Sequence, residues 1–160
     1  MKRLLAFSLL WVLLLTGCGL EREGSRLYYP RANYLHNDPE PVIGCEIRDT
    51  AGHTQDLRYL LTQYFMGPMD RSLRSPLPRG TRMTALENAD GVIIITASEE
   101  ADTLSDAKFS QAAACLGLTV MEALGEDAQV TLVCGDRSLT VTRDTLLLYE
   151  EPFPDATEES

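Results

Sequence analysis

Histidine is nearly absent from this 160-residue chain: His36 and His53 are the only two, each in a polar stretch. With no His-Glu-x-x-His and no Gly-x-Ser-x-Gly sequence either, the usual means of activating water, a serine or a metal are missing. None of the four cysteines forms a Cys-x-x-Cys pair, so the spacing gives no sign of a zinc site or a dithiol redox centre. Positive charge is scarce too. Fourteen Lys and Arg stand against 24 Asp and Glu, a net charge of -10 that disfavours nucleic acid and anionic lipid headgroups through like-charge repulsion. Long apolar runs are missing: Leu4 to Leu15, interrupted by Ser8, falls short of the ~20 residues that a membrane-spanning helix needs.

What is present begins at the N-terminus. Lys2 and Arg3 precede the apolar run, and Leu15-Thr16-Gly17-Cys18 closes it with small residues before a cysteine. This arrangement resembles the bacterial lipoprotein signal, in which the chain is cut before the cysteine and its thiol receives a diacylglyceryl group. Residues 1–17 are then a signal peptide, Leu15, Thr16 and Gly17 fit an extended-backbone cleft, and Cys18 supplies the nucleophilic thiolate. An ordinary secretory peptide with an incidental cysteine is the alternative. Two acyl chains on Cys18 suffice for a stable anchor, so the membrane is the first expected partner. The protein is then lipid-anchored on the extracytoplasmic face of the cell membrane. Cys45, Cys115 and Cys134 remain, all in apolar surroundings, and read as buried free thiols or as one disulfide with a thiol left over.

Behind a tether at 18–25, residues 26–149 have the length of one domain, and the acidic, proline-containing stretch 150–160 reads as a disordered tail. Leu27 to Tyr29 and Val42 to Ile47 are strand candidates around a loop at 33–41. Thr54, with Asp56 behind it, is the expected cap of a helix whose apolar face is Leu57, Leu60, Leu61, Tyr64 and Phe65, ended by Gly67-Pro68. A loop from Asp70 to Gly80, anchored through Leu77-Pro78, leads to strands at 81–87 and 91–97 around a turn at 88–91. Val92 to Ile95 lacks polar alternation, which predicts a central strand contacted on both faces. A second helix from Ser105 to Leu124 carries Phe109, Ala113, Leu116, Val120 and Leu124 on one face, with Gly117 a weak point. Strands at 129–134 and 139–141 follow. The order predicts an α/β (α+β) fold: a small mixed sheet of four to six strands with two helices packed on one face.

Several of these pieces resemble the sporulation and spore germination GerM domain. Leu27-Tyr28-Tyr29 is similar to its opening strand, and Leu60 to Pro68 to its helix ending in Gly-Pro. Leu77-Pro78-Arg79-Gly80-Thr81 is similar to its entry into a strand, and Asp90-Gly91-Val92 to its hairpin. Gly117-Leu118-Thr119 is a looser match, and Thr96-Ala97-Ser98-Glu99 departs from the usual ending of the hairpin strand. The resemblance spans roughly Leu27 to Asp136. It implies a small α/β domain of envelope lipoproteins, similar in fold to modules that assemble rings or bridge membranes, with no catalysis and no cofactor.

Three groups of polar residues are candidates for chemistry. His53 with Asp49 and Asp56 could meet around the first helix start, although exposed turn residues are the simpler reading. Glu99, Glu100, Asp102 and Asp106 are acidic but lack the ordered spacing and glycine of a calcium loop, so a solvated loop is expected. Arg71, Arg74, Arg79 and Arg82 concentrate positive charge in an acidic protein, and guanidinium groups suit carboxylates and phosphates. They are the expected contact with a partner, against the alternative of local charge balance. No catalytic or metal-ligating residue is assigned. The function expected is a non-enzymatic interaction or scaffold domain of the bacterial envelope, related to sporulation or germination. It would contact another envelope protein or itself, and no nucleic acid. The alternative is an extracytoplasmic binding module for cell-wall fragments or a small solute, whose pocket would draw on Tyr28, Tyr29, Tyr34, Tyr59, Tyr64, Phe65 and Phe109.

Overall fold

The first two strands pair into a ribbon, and apolar–polar alternation does not set its faces: Gly44, Glu46 and Arg48 turn inward while Cys45 and Ile47 turn outward. In the computed structural model, which describes residues 24–33, 42–50, 52–53, 56–125 and 127–147, β1 (Ser25–Pro30) pairs antiparallel with β2 (Ile43–Arg48). The signal peptide, Cys18, Tyr34 and the tail at 150–160 lie outside the described residues. Ser25 stands opposite Arg48 and Pro30 opposite Ile43. Leu27, Tyr29, Gly44 and Arg48 are buried on one face, while Arg26, Cys45 and Ile47 are exposed on the other.

Helix α1 (Leu57–Phe65) buries Leu60, Leu61 and Tyr64, as its spacing predicts. Its N-cap is Asp56 rather than Thr54, which lies outside the described residues: Asp56 Oδ1 accepts the Tyr59 N–H at 3.0 Å. A carboxylate there satisfies an orphan donor and also favours the positive end of the helix. The helix stops before Gly67, which takes φ 87°.

Strands β3 (Met83–Ala89) and β4 (Val92–Ala97) form a hairpin through Asp90-Gly91, both at positive φ. A 3-10 turn at Glu99–Thr103 leads to α2 (Asp106–Leu124), then β5 (Gln129–Cys134), β6 (Arg137–Val141) and a short α3 (Arg143–Leu147). The four-stranded sheet has the order β3-β4-β5-β6. β4 and β5 are parallel, Ile93 opposite Val130 and Ile95 opposite Leu132, because α2 carries the chain back across the sheet.

The mixed α/β class agrees with the sequence pattern, but the strands divide between two sheets instead of forming one. The reason lies in α2. Ala112 to Gly117 are consecutive and all buried, so this helix is covered on more than one side, by β5 and β6 and by β1. The Tyr28 N–H, which another strand would otherwise accept, donates to Thr119 Oγ1 at 3.0 Å, and Thr119 Oγ1 donates to the Cys115 carbonyl at 2.9 Å. A helix hydroxyl thus takes the place of a neighbouring strand. Gly117 does not break the helix: a Cβ there would lie 2.5 Å from Val141 Cγ2, so the missing side chain permits close approach of α2 to β6. β4 is central in its sheet, but its burial alternates. Ile93, Ile95 and Ala97 are buried, whereas Val92, Ile94 and Thr96 are half-covered on the other face.

Candidate functional site

The segment from Met66 to Arg82 crosses the surface as a polar strap, and a buried charge pair fixes its start. Glu46 and Arg48 share the inward face of β2 and form a salt bridge. Arg48 Nη1 donates to the Gln63 carbonyl at 2.8 Å and Nη2 to the Gly67 carbonyl at 2.9 Å, closing the end of α1. Glu46 Oε2 accepts the backbone N–H groups of Met69 and Asp70, each at 2.9 Å. One strand therefore holds both the helix end and the loop beyond it. Arg48 Nε is buried and has no partner among the described residues.

Further along, the Asp70 carboxylate accepts the Ser72 N–H at 2.8 Å, which lowers its pKa. The strap then runs beside the end of β1. Ala32 N–H donates to the Ser72 carbonyl and Arg74 N–H to the Pro30 carbonyl, with Leu73 bridged to Arg31. Leu73 and Leu77 are buried, so the expected anchor at Leu77 is present and Leu73 adds a second. Thr81 Oγ1 donates to the Pro78 carbonyl, and the Arg82 N–H to Ser98 Oγ just past β4.

Arg71, Arg74, Arg79 and Arg82 are all exposed on this strap. Arg71 and Arg74 flank buried Leu73, while Arg79 and Arg82 flank the entry to β3. They lie toward the end of the domain where β1 and β4 finish. The directions agree, because Arg26 and Tyr28 of β1 both reach Glu122 while the Tyr28 N–H reaches Thr119, so β1 runs opposite to α2, as does β5. Nothing in the sequence singles out the Glu46–Arg48 clamp except parity: both share the strand face of buried Gly44.

The other candidate groups are tied into local structure. His53 Nδ1 lies 3.9 Å from Asp56 Oδ2, and its ring stacks on Tyr59 at 4.5 Å, while Asp56 serves as the helix cap. In the acidic group, Asp106 Oδ1 pairs with Arg137 Nη2 at 3.1 Å and Asp102 Oδ1 lies 3.9 Å from Nη1. Arg137 also donates to the Leu104 carbonyl at 2.7 Å and covers the Phe109 ring at 4.3 Å. Glu100 accepts the Ser98 hydroxyl, which lowers its pKa. Among the described residues no group of three His, Cys, Asp or Glu could hold a metal ion.

The Ser-x-x-Lys arrangement, expected to be missing like the other activating motifs, is present at Ser105-Asp106-Ala107-Lys108. Ser105 occupies the N-cap of α2 without a side-chain cap bond, and both Ser105 and Lys108 are exposed rather than set in the desolvated site that activates such a pair. The aromatic residues are used in packing. Tyr29 and Tyr64 stack at 4.7 Å, Phe65 meets Tyr64 edge-on, and Tyr29 Oη donates to the Tyr64 carbonyl at 3.1 Å. Two shallow depressions, of about 200 and 250 Å³, are open to solvent; the first is lined by Gly24 to Arg26, Glu122 and Ala123.

Cys45, Cys115 and Cys134 are free thiols, and Cys45 is exposed rather than buried because it lies on the outward face of β2. Burial raises the thiol pKa of Cys115 and Cys134 above the usual 9.0, and raises the phenols of Tyr29 and Tyr64 above 10.0. Each of these groups therefore holds its proton to a higher pH when folded than when unfolded. Stability is therefore complete below the ordinary thiol value and falls as pH rises from about 9, by up to about 1.4 kcal/mol per pH unit for each such group. Urea midpoints between pH 7 and 11 check this, and Cys115→Ala should make the alkaline slope shallower; parallel slopes would assign the loss to other groups.

No family model matches the chain, and no curated protein matches it significantly. Solved structures do. The first GerMN domain of the sporulation protein GerM from Bacillus subtilis is 18% identical, with 72% of this chain and 85% of that one covered and a TM-score of 0.50. The tandem GerMN domains of the same protein align at 18% identity over 72% of this chain and 40% of theirs, TM-score 0.48. A Clostridium perfringens protein solved as a candidate lipoprotein is 19% identical over 71% of this chain and 76% of its own, TM-score 0.44.

Proposed function

From a chain whose fold is similar to that of a GerMN domain, we propose a lipid-anchored, non-enzymatic interaction domain of the bacterial cell envelope, with a role connected to sporulation or germination. Cys18 carries the lipid, and the strap at 66–82 engages an envelope protein. The observation that carries this reading is the placement of the strap. Its leucines are buried and its backbone is bonded to β1 and to Ser98, so Arg71, Arg74, Arg79 and Arg82 are presented from a fixed support. They lie at the end opposite Ser25, where the chain arrives from Cys18. In a protein of net charge -10, this is where an acidic partner surface meets attraction instead of repulsion.

Cross-linking and mass spectrometry on the protein in its native membrane tests the proposal. One envelope protein should link reproducibly to the strap, and Arg71→Ser with Arg74→Ser should lower its recovery by about tenfold, the loss that 1.4 kcal/mol of contact energy gives. The melting temperature should stay unchanged, because both side chains are exposed. Undiminished recovery would remove the strap as the contact.

A further inference from the structure

Two stretches of this chain carry opposite and unmixed charge. From 71 to 82 stand Arg71, Arg74, Arg79 and Arg82 with no Asp or Glu, and from 148 to 160 stand Glu150, Glu151, Asp155, Glu158 and Glu159 with no Lys or Arg. Among the described residues none of the four guanidinium groups is in a salt bridge.

The fold brings the start of the acidic stretch beside the strap. Arg143, the first residue of α3, lines one shallow depression with Tyr28 of β1 and with Leu118, Met121 and Gly125 of α2. Three residues on, Leu146 lies against Gly117. The chain thus moves back along α2, on the side of the ribbon that Tyr28 faces.

Arg74 is on that side too. Arg31 and Leu73 are bridged and both lie against Gly44 on the inward face, so alternation turns Arg74 outward with Tyr28. The Arg74 N–H is bonded to the Pro30 carbonyl, two residues past Tyr28, whose own N–H is held by Thr119. Two strand residues rise about 7 Å, as much as four or so helix residues, which sets Arg74 near the level of Cys115. Burial raises the Cys115 thiol pKa and the Arg74 charge opposes it, in keeping with that level. The chain therefore leaves α3 within about one helical turn of the level of Arg74, with about 10 Å, the width of a helix, between them. Residues 148–160 span up to about 45 Å when extended, so Arg71 and Arg74 are well within reach.

We propose that residues 148–160 fold back on the arginine strap and cover it, so that an acidic partner reaches Arg71 and Arg74 only by displacing them. The fold-back stands on placement and charge, whereas its regulatory meaning rests on the strap being the partner contact. Single exposed ion pairs are weak. A short covalent connection holds these carboxylates at a millimolar effective concentration, which lets several weak pairs act together. In a protein of net charge -10 the strap is also where they meet attraction.

The test uses the full chain in detergent micelles with Cys18→Ser and Cys45→Ser, which leaves only buried Cys115 and Cys134. A nitroxide on Ala156→Cys should erase the amide signals of Ser72 to Arg74 and weaken those of Asp90 and Gly91, in the β3–β4 turn, far less. Salt at 1 M, where the Debye length is about 3 Å, should restore most of the lost signal, as should Arg71→Ser with Arg74→Ser. Broadening that survives both, or none at the strap, overturns the fold-back. Broadening of an isotopically labelled chain by a separate nitroxide-bearing chain assigns the contact to a second copy and overturns it as well. Polyglutamate serves as the probe for an acidic surface. Glu150→Gln, Glu151→Gln, Asp155→Asn, Glu158→Gln and Glu159→Gln together should tighten its binding about tenfold. Unchanged affinity overturns the shielding. Loss of the partner cross-links with broadening intact removes the partner contact and leaves the fold-back standing, and the reverse pattern removes the fold-back alone.

Discussion

Arg48→Met destabilises the domain by about 3–5 kcal/mol, the cost of removing one member of a buried ion pair. Arg48 and Glu46 have side chains only 7% and 10% exposed, and the guanidinium serves two carbonyls besides its carboxylate. Methionine fills much of the volume but leaves the Glu46 charge without its partner and the Gln63 and Gly67 carbonyls without their donor. Lysine is a poor substitute, because a single ammonium cannot reproduce the planar fork. Combining Arg48→Met with Glu46→Gln should recover part of the loss, since the uncompensated charge goes, although the Met69 and Asp70 N–H groups then face a weaker acceptor. Urea midpoints of the four proteins give the coupling directly. A loss below about 1 kcal/mol for Arg48→Met would mean that the pair is solvated in a way its burial contradicts.

The second large effect has the opposite sign from what helix propensity alone dictates. Gly to Ala in an exposed helix interior gains about 1 kcal/mol. At Gly117 the new Cβ would stand 2.5 Å from Val141 Cγ2, 3.5 Å from Val141 Cβ and 3.7 Å from Leu146 Cδ1. Valine is β-branched and stiff, so it cannot swing aside, and the overpacking should leave a net loss of about 1–3 kcal/mol. Val141→Ala in the same chain should relieve the clash, so the double variant should be more stable than the two single losses added together predict. A Gly117→Ala protein that melts higher than wild type would show that α2 and β6 are not in such close contact.

Both effects involve features that a sequence reading handles poorly. The β3–β4 hairpin was legible because Asp90-Gly91 sets its turn locally, and α1 because Leu57, Leu60, Leu61 and Tyr64 share one face. The β1–β2 ribbon was legible as two strands but not as a separate sheet. Its exclusion depends on Thr119 meeting the Tyr28 N–H, a contact between residues distant in the chain. Gly117 reads as a helix weakness until Val141 is placed beside it. α3 went unread because a five-residue helix has too few turns for a periodic signal. Of the candidate site, the arginines were visible as charge, whereas the clamp that steadies their strap was not. A strand-end Glu-x-Arg looks like ordinary surface until the partner elements are known.

The register of the ribbon also has a mechanical meaning. Under the proposed function, with a lipid on Cys18 and a partner on the strap bonded near Pro30, tension between the two would enter the domain at β1. Its pairing with β2, from Ser25–Arg48 to Pro30–Ile43, is then loaded in shear. All the inter-strand bonds share the force at once and are not peeled apart one at a time. The side chains of Arg26 and Tyr28 on Glu122 add two fastenings between β1 and the central helix in the same direction.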